Sequence, residues 1–535
     1  MKIHTGLLFL FLVAPFWLLG QTGDFTIKNS QAALDWFKDA GLGLRIQWGL
    51  ESQLGISMEH SLINASPDFQ QRFFEDLPQS FNPKQFDAKE IATLAKLAGV
   101  EYLVLTVKDK AGFCLWDTES TSFNIINTPY TKDVLQAYVE AIREVGLKVG
   151  IQFSTEDYHF LRTHELPIRD TPLEELDEEL VESYEGLIEL QCKELFSNYG
   201  KIDLLFLEGK HVDLAAKTAL DLQEDLLITG AGLPIWEEHI PNQVKSQSWE
   251  VSFSLADQWS YKARPKAKSV KELIELLIET RAKGGTALFT IGLRPDGALP
   301  QSEEKSLREL ATWSFVNKEA IQSVRPWIIH REGKSWLARK KEATDVYIYL
   351  SAENSWNLGE EHSLILRSVR ATRDSEISLL GQAIELPGRA LPPLRYQQQD
   401  GQLEIHFALL HQLYDNGKWP YPLVLKLTRA EPTLTPPVVQ TLPPKPQSKG
   451  TQLKGFLAKK GDQQDLEYGF EYRPYAKLFS QTPTDWKRTD WVKETTNGHF
   501  NLPLEGLNPG EYEVRAIVRN PVLTIPGAIL KFSIP

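Results

Sequence analysis

The chain has 535 residues, of which 42% are hydrophobic, 24% charged and 10% aromatic. This composition is typical of globular domains and excludes a largely disordered, collagen-like or polytopic membrane protein. The net charge of −13 argues against a general nucleic-acid binder, which needs a surface rich in lysine and arginine.

Residues 1–20 are predicted to form a secretory signal peptide. Lys2 precedes an apolar run from Leu7 to Leu19, and the small residue Gly20 follows it. This order of basic, apolar and small residues is typical of a cleaved signal, and the run is short for a membrane span. We therefore expect a secreted or periplasmic protein with no membrane insertion after signal cleavage.

Residues 21–330 are predicted to form a (β/α)₈ barrel. Asp87 is placed to cap a helix that Gly99 ends. Continuous apolar strands that alternate with helices indicate a parallel sheet covered by helices, and the stretch has the length of one barrel. The doubly wound alternative lacks a G-x-G-x-x-G motif after its first strand. The predicted strands are Gly43–Trp48, Tyr102–Lys108, Lys148–Phe153, Asp203–Leu207, Leu226–Thr229 and Ala287–Ile291. Further helices are predicted at Asp133–Val145, Leu180–Phe196, Val270–Arg281 and Glu303–Phe315.

The remainder of the chain is predicted to be all β. Residues 331–430 contain short strands between turn residues, which is typical of a β-sandwich. Residues 431–450 are rich in proline and are predicted to be a linker. Residues 451–535 resemble a fibronectin III or immunoglobulin-like β-module.

Carboxylates and amides follow the predicted barrel strands, where a barrel of this type carries its chemistry. Clustered His and Cys ligands, a P-loop and a G-x-S-x-G motif are all absent from the sequence, so we expect no metal and no cofactor. The two cysteines, Cys114 and Cys192, are expected to be free and buried. Glycoside hydrolysis is the commonest carboxylate chemistry of a barrel with β appendages.

Several motifs over residues 33–430 resemble glycoside hydrolase family 29, the α-L-fucosidases. They occur in the family's order: Trp36-Phe37-Lys38-Asp39-Ala40, Gln47-Trp48-Gly49, Phe81-Asn82-Pro83, Phe86-Asp87-Ala88, Gly112-Phe113-Cys114-Leu115-Trp116-Asp117, Asn127-Thr128-Pro129, Trp249-Glu250, Trp259-Ser260-Tyr261, Lys283-Gly284-Gly285 and Arg325-Pro326-Trp327. The resemblance implies a barrel followed by a β-sandwich and an activity on fucosylated or related glycans.

The sequence differs from the family at the positions where the family binds the sugar. Gln47 stands where the family has the histidine of His-Trp-Gly, and Asp109 and Lys110 replace its paired histidines. An arginine expected near the next strand end aligns near Ala231. Glu208, in Phe-Leu-Glu-Gly, occupies the place of the family's nucleophilic aspartate.

The resemblance implies two catalytic carboxylates. Glu208 is the candidate nucleophile; the alternative is a vestigial carboxylate paired with Lys210 or Lys110. Glu237 is the candidate acid/base, with Glu238 next to it as a second choice; the alternative for Glu237 is a surface loop residue. A retaining mechanism needs these two carboxyl groups about 5–5.5 Å apart.

Six further side chains are candidates for binding the sugar. Asp109 and Lys110 either bind hydroxyl groups or form a salt bridge that fills the pocket. Trp48 and Trp116 either stack on a sugar ring or support the core. Gln47 takes the position of the missing histidine, and Glu59 corresponds to a family glutamate that braces a pocket histidine.

Two functions remain open from the sequence. The first is an exo-acting, retaining, α-L-fucosidase-like glycoside hydrolase. The second is a non-catalytic carbohydrate-binding pseudo-glycosidase, because histidines are missing from three strand-end positions. Both predict a carbohydrate partner and no nucleic acid, and the sequence gives no oligomeric state.

Overall fold

The computed structural model describes residues 25–57, 61–168, 176–245, 247–351, 353–384, 394–447, 450–462, 465–475, 486–494, 498–520 and 523–534. The predicted signal peptide, residues 1–20, and the candidate Glu59 lie outside the described residues.

Eight parallel strands form the first domain, in the order β5-β4-β3-β2-β1-β8-β7-β6. Hydrogen-bonded pairing is continuous around this ring except between β5 and β6, within the described part of the chain. The strands are β1 Leu42–Gln47, β2 Tyr102–Lys108, β3 Lys148–Ser154, β4 Leu204–Glu208, β5 Leu227–Gly230, β6 Ile235–Glu237, β7 Glu250–Ser254 and β8 Thr286–Gly292. The helices are α1 Gln31–Ala40, α2 Pro67–Ser80, α3 Ala88–Leu97, α4 Val134–Val145, α5 Tyr158–Thr163, α6 Glu178–Asn198, α7 Val212–Leu222, α8 Val270–Ala282 and α9 Gln301–Asn317.

Local signals explain where the predicted helices begin and end. The carboxylate of Asp87 accepts the Glu90 backbone N–H at 2.9 Å and caps α3, as predicted. Asp133 caps α4 in the same way, and Gly146 ends that helix with φ of 76° in the left-handed region, where glycine carries no Cβ penalty. The barrel architecture predicted from the alternating pattern is therefore confirmed.

The sequence pattern did not predict strands β6 and β7, and for β7 there is a physical reason. Along β7, Glu250, Ser252 and Ser254 alternate with apolar residues and are all buried. Alternation of this kind is typical of a strand with one face in water. Here the polar face lies inside the barrel, so the polar residues are buried as well.

The barrel has two separate apolar regions. One lies between the strands and the outer helices and continues into the next domain. The other lies in the lumen, where Phe37 of α1 packs on Tyr102 with ring centroids 5.9 Å apart. Helix α1 thereby closes the amino end of the barrel and leaves the carboxyl end for chemistry.

Arg281 of α8 joins the barrel to the following domain. Its side chain is 1% exposed. It donates hydrogen bonds to four backbone carbonyls, those of Lys38, Gly285, Ile321 and Val324. Three chain segments therefore share one guanidinium group, which supplies the side-chain donor for buried carbonyls; those of Lys38 and Val324 also accept from Arg325.

Glu303 lies in the first turn of α9, under the end of β8. Its side chain is buried and accepts the backbone N–H of Gly292 at 3.0 Å. Burial raises the pKa of this carboxyl to about 8, against the weaker opposing effect of that hydrogen bond.

The raised pKa of Glu303 predicts a pH-dependent stability. The unfolded chain loses this proton near pH 4.5 and the folded chain near pH 8, so the folded state binds more protons between these values. The free energy of unfolding should then fall as pH rises, by up to about 1.4 kcal/mol per pH unit from this group. Urea titrations at several pH values should show Glu303→Gln removing this slope. Glu304→Gln, in the same turn but partly exposed, should keep it, and an equal slope in both variants would contradict the assignment.

The second domain is the predicted β-sandwich. A five-stranded sheet, in the order β15-β19-β11-β10-β9, faces smaller sheets that include β13-β17-β16. Its strands are β9 Val324–Glu332, β10 Ser335–Lys340, β11 Val346–Leu350, β12 Trp356–Asn357, β13 Glu361–Leu366, β14 Val369–Ala371, β15 Ile377–Leu379, β16 Leu394–Gln399, β17 Gln402–Ala408, β18 Lys418–Trp419, β19 Leu423–Leu427 and β20 Ala430–Pro432. Its core is continuous with the outer core of the barrel.

The terminal module consists of two antiparallel sheets, one in the order β21-β22-β26 and one built around β23 and β27. Its strands are β21 Val438–Pro446, β22 Thr451–Lys459, β23 Leu466–Pro474, β24 Lys487–Arg488, β25 Val492–Glu494, β26 Gly498–Leu504, β27 Gly510–Arg519, β28 Thr524–Pro526 and β29 Leu530–Ile534. The module has a small core of its own, with Leu453 and Phe470 at 0% exposure.

The segment predicted as a linker, residues 431–450, contains β21 and is corrected here. Val439 and Thr441 point into the module while their neighbours are exposed, which is an ordinary strand alternation. Three of the prolines that suggested a linker, Pro443, Pro444 and Pro446, lie on this edge strand, where a missing backbone N–H can be tolerated.

Both cysteines are buried and free, as expected. Cys114 follows β2 and Cys192 lies on α6, each at 0% exposure. The Sγ of Cys114 accepts a hydrogen bond from Gln191 at 3.7 Å. Burial raises the pKa of both thiols, that of Cys192 to about 12.

Candidate active site

Polar side chains fill the lumen at the carboxyl ends of β1 to β4. Every second residue of a barrel strand faces the lumen. Nearer the amino ends of the strands, such residues include Val104, Leu204 and Phe206, which form the apolar floor of the lumen. Continuing that alternation, Glu208 of β4 and Gln152 of β3 face the lumen at the open end. The strand pattern thus places the candidate nucleophile at the mouth of the barrel.

Glu208 is half-buried and its carboxylate is oriented by a neighbouring strand. The Nε2 of Gln152 donates to Oε1 of Glu208 at 3.0 Å. The Oε1 of Gln152 in turn accepts from the hydroxyl of Thr106 at 2.9 Å. A carboxylate fixed by a side chain whose own position is fixed is pre-organised for attack on a bound substrate.

The backbone after Glu208 is equally constrained. Its carbonyl accepts the backbone N–H of Thr155 at 3.0 Å. Gly209 follows with φ of 110°, and a Cβ there would lie 2.1 Å from the Thr155 hydroxyl. Only glycine fits this turn, which explains the Glu-Gly pair at the end of β4.

Glu237 and Glu238 differ sharply in their surroundings. Glu237 ends β6, and its parity matches that of Ile235, which packs in the lumen. Its carboxylate is exposed and has no hydrogen bond or ion pair with the part of the chain that the structure describes. Glu238 accepts the Ser254 backbone N–H at 2.7 Å and pairs with Lys268 at 2.9 Å. Of the two, Glu237 is the one available to a substrate.

Lys110 and Asp109 occupy the place of the family's paired histidines. The Nζ of Lys110 lies 3.3 Å from a carboxylate oxygen of Glu156, which follows β3. Asp109 is buried and accepts the backbone N–H of Ala111 at 3.0 Å. A second ion pair, Lys108 with Asp157 at 3.1 Å, is fully buried beside them. Two ion pairs therefore join the ends of β2 and β3, and Glu156 is a partner that the sequence did not suggest.

The two candidate tryptophans are buried in the structure. Trp48 is 1% exposed, stacks on Phe86 and donates to the carbonyl of Arg294 at 3.1 Å. Trp116 is 0% exposed and donates to Glu194 at 2.9 Å. Neither ring has a free face for a sugar, so the placement favours the core-support alternative for both. Gln47 ends β1 at 9% exposure.

Arg45 is a lumen residue that the sequence analysis did not single out. Its Nε donates to Thr290 at 3.2 Å, and its guanidinium lies 5.1 Å from the ring centroids of both Phe206 and half-buried Trp259. The sequence did contain a signal for this residue, because Arg45 is a cation within a largely apolar strand, at a position that strand alternation places in the lumen. Gln152 carries the same kind of signal on β3.

The floor of the lumen contains one more ionisable group. Glu250 of β7 is buried and accepts the hydroxyl of Tyr102 at 2.8 Å. Burial raises its pKa to about 7, opposed by the Tyr102 hydrogen bond and by the charge of Arg45. Because Tyr102 also packs on α1, Glu250 lies below the site rather than in it.

The position of the family's arginine is occupied by backbone and a small side chain. Gly230 has φ of 73°, and a Cβ there would lie 2.1 Å from the Leu207 carbonyl oxygen. Ala231 follows and donates its N–H to that carbonyl at 2.9 Å. Arg45 on β1 supplies a lumen cation from a different strand, next to Phe206.

Two further features of the described residues concern metal binding and membranes. They contain no group of three or more His, Cys, Asp or Glu side chains placed to hold a metal ion. No helix among them has the length and apolar character needed to cross a membrane.

Comparison with known proteins identifies relatives over most of the chain. A family model described as Alpha-L-fucosidase matches residues 22–319, more than half of the chain. The chain is 23% identical to an α-L-fucosidase of Dictyostelium discoideum over 66% of this chain and 84% of that protein. It is 24% identical to the human plasma α-L-fucosidase over 73% of this chain and 89% of that protein.

Solved structures show the same fold. The α-L-fucosidase isoenzyme 1 of Paenibacillus thiaminolyticus superposes with a TM-score of 0.60 at 23% identity, covering 74% of this chain and 98% of that one. A family 29 α-L-fucosidase of Bacteroides thetaiotaomicron, solved as a trapped covalent intermediate, superposes with a TM-score of 0.59 at 18% identity, covering 76% and 99%. These neighbours share the barrel followed by a β-sandwich.

Proposed function

The chain belongs to the α-L-fucosidase family, and from this premise we propose that it is a secreted glycoside hydrolase that removes α-linked fucose or a related sugar from the end of a glycan. The observation that carries the proposal is the oriented carboxylate of Glu208 at the carboxyl end of β4, held by Gln152. A pre-organised carboxylate at the mouth of a barrel is what nucleophilic glycoside cleavage requires.

A retaining mechanism follows from the two carboxylates. Glu208 attacks the anomeric carbon and forms a glycosyl ester, while Glu237 donates a proton to the leaving oxygen. Water, deprotonated by Glu237, then hydrolyses the ester with net retention. The covalent intermediate named for the Bacteroides thetaiotaomicron relative supports this route.

The altered sugar-binding side chains support a substrate that differs from fucose or is held differently. Lys110 and Glu156 offer a donor and an acceptor in place of two histidines, and Arg45 offers a cation on another strand. Charged groups form strong, directional hydrogen bonds with hydroxyl groups. A panel of aryl α-glycosides, including the L-fucoside, tests the sugar; no hydrolysis of any member would overturn the enzyme proposal.

Glu237→Gln is expected to separate substrates by their leaving groups. Loss of the general acid should slow a glycoside with a poorly acidic phenol by about 10²–10⁴-fold, because that phenol must be protonated as it leaves. A glycosyl fluoride or dinitrophenyl glycoside, whose leaving group needs no proton, should keep most of its rate in the first step. Steady-state kinetics on both substrates provide the measurement.

The matched variant is Glu238→Gln. It removes a carboxylate engaged with Ser254 and Lys268, so its effect should not depend on the leaving group. If the leaving-group dependence appears in Glu238→Gln instead, the acid/base is Glu238 and the assignment made here is overturned.

A carbohydrate-binding pseudo-glycosidase is the second candidate, favoured by one observation. The Lys110–Glu156 ion pair occupies the position at which the family binds the sugar through histidines. In that case calorimetry should detect a glycan that binds without turnover, and Glu208→Gln should leave the affinity within about threefold.

A further inference from the structure

We propose that the terminal module is a positioning element of the active site: it holds the start of the β6–β7 connection and, through it, Glu237. This inference rests on the proposed function, since it concerns the acid/base candidate. The module lies beyond residue 319, where the family model ends, so its role does not follow from family membership.

Glu237 depends on its backbone for its position. Its carboxylate makes no hydrogen bond or ion pair within the described residues, and it lies at the end of a three-residue strand. Strand β6 pairs with β7 and, in the described chain, not with β5. A short strand that pairs on one side only is less constrained than a central strand, so whatever fixes the next residues also helps to fix this carboxylate.

The next residues, 238–245, are held from two directions. Glu238 ties the beginning of this stretch to the barrel through Ser254 and Lys268. Five residues after Glu237, Oδ1 of Asn242 accepts a hydrogen bond from Arg515 of β27. Gln243 donates to the backbone carbonyls of Pro526 at 2.9 Å and Val439 at 3.4 Å, both in the terminal module.

Arg515 is a rigid donor. Its Nε donates to Glu471 at 2.7 Å, and its guanidinium lies 4.3 Å from the ring centroid of Trp486. Arg473 lies at the same distance from that ring and pairs with Glu513, so the tryptophan is flanked by two arginines. An arginine held by a carboxylate and an aromatic ring loses little further freedom when it binds Asn242.

The module itself is docked firmly. Leu523, before β28, is 4% exposed and belongs to the core that the barrel and sandwich share. Ile525 packs against that core and against the module's own core. The module can therefore transmit its rigidity to residues 238–245.

The test compares Arg515→Met with Arg473→Met in the full-length chain. Both variants remove a guanidinium from Trp486 and leave a carboxylate unpaired, but only Arg515 bonds to the barrel. Arg515→Met should speed amide exchange in residues 238–245 by about tenfold while the barrel strands keep their protection. Arg473→Met should leave exchange in 238–245 unchanged.

Kinetics supply the second readout. Arg515→Met should slow hydrolysis of an aryl α-L-fucoside with a poor leaving group by about 10- to 100-fold, because a displacement of about 1 Å costs that much. Hydrolysis of α-L-fucosyl fluoride should change by less than about threefold, since that substrate needs no general acid in the first step. A merely structural loss would slow both substrates equally.

Asn242→Ala repeats the test from the barrel side, in case Arg515→Met fails to fold. Unchanged exchange in residues 238–245 in either folded variant overturns the proposal, and so does an equal rate loss on both substrates. If the unaltered protein hydrolyses another sugar of the aryl glycoside panel, the kinetic test uses that sugar's aryl glycoside and fluoride. If it hydrolyses no member of the panel, the proposed function fails, while the exchange result still decides whether the module holds this stretch.

Discussion

Glu208→Gln is expected to abolish glycoside hydrolysis, with kcat falling by about 10³-fold or more, as for other residues that form the covalent bond. Glutamine keeps the length of the side chain and an oxygen that accepts from Gln152, so the fold should be retained. The free energy of unfolding should change by less than about 0.5 kcal/mol. Initial rates on an aryl α-L-fucoside and a urea titration provide the two measurements.

Azide makes the prediction specific for a nucleophile. Glu208→Ala opens space beside the anomeric carbon, so added azide should restore turnover and give a glycosyl azide of inverted configuration. Glu156→Ala is the competing control, because Glu156 is the acidic side chain at the end of the neighbouring strand. Azide rescue of a Glu156 variant and not of Glu208→Ala would assign the nucleophile to Glu156.

Arg281→Met is expected to produce the largest loss of stability. Methionine fills much of the volume but leaves the carbonyls of Gly285 and Ile321 without their side-chain donor. The carbonyls of Lys38 and Val324 lose one of two donors, since each also accepts from Arg325. Each buried acceptor left without a partner costs about 1–3 kcal/mol, partly recovered by relaxation and water. We expect the free energy of unfolding to fall by about 3–5 kcal/mol.

The measurement for Arg281→Met is equilibrium unfolding in urea, followed by tryptophan fluorescence. Arg308→Met is the matched control, because Arg308 is exposed and, among the described residues, its side chain makes an i,i+4 pair with Glu304 alone. Its cost should stay within about 0.5 kcal/mol. A loss below about 1 kcal/mol for Arg281→Met would show that the carbonyls of Gly285 and Ile321 find other donors.

Much of the barrel could be predicted because its signals are local. Asp87 caps α3 through a residue three positions away, and β2 begins with the unbroken apolar run Tyr102–Leu105. Strand β7 escaped prediction because its polar residues face a lumen, and a lumen exists only once eight strands have closed. The misassigned linker has a similar cause, since an edge strand tolerates the prolines that elsewhere break a strand.

The candidate site likewise contains residues that could be predicted from local sequence and residues that could not. Glu208 could be placed from sequence because it ends a strand beside a glycine that the turn demands. Its partner Gln152 could not, because 56 residues separate the two and only the register of β3 and β4 joins them. The contact between Arg515 and Asn242 spans 273 residues, and no local pattern announces it.

The two buried thiols have a consequence for how the chain can fold and be handled. A thiol attacks a disulfide as its thiolate, and burial holds the pKa of Cys114 and Cys192 far above neutrality. Once folded, neither sulfur exchanges with oxidants or with other proteins. Because the native state contains no disulfide between them, oxidative pairing plays no part in reaching it. Refolding from urea that starts from the reduced chain should therefore give the same yield whether or not the refolding buffer contains a reductant.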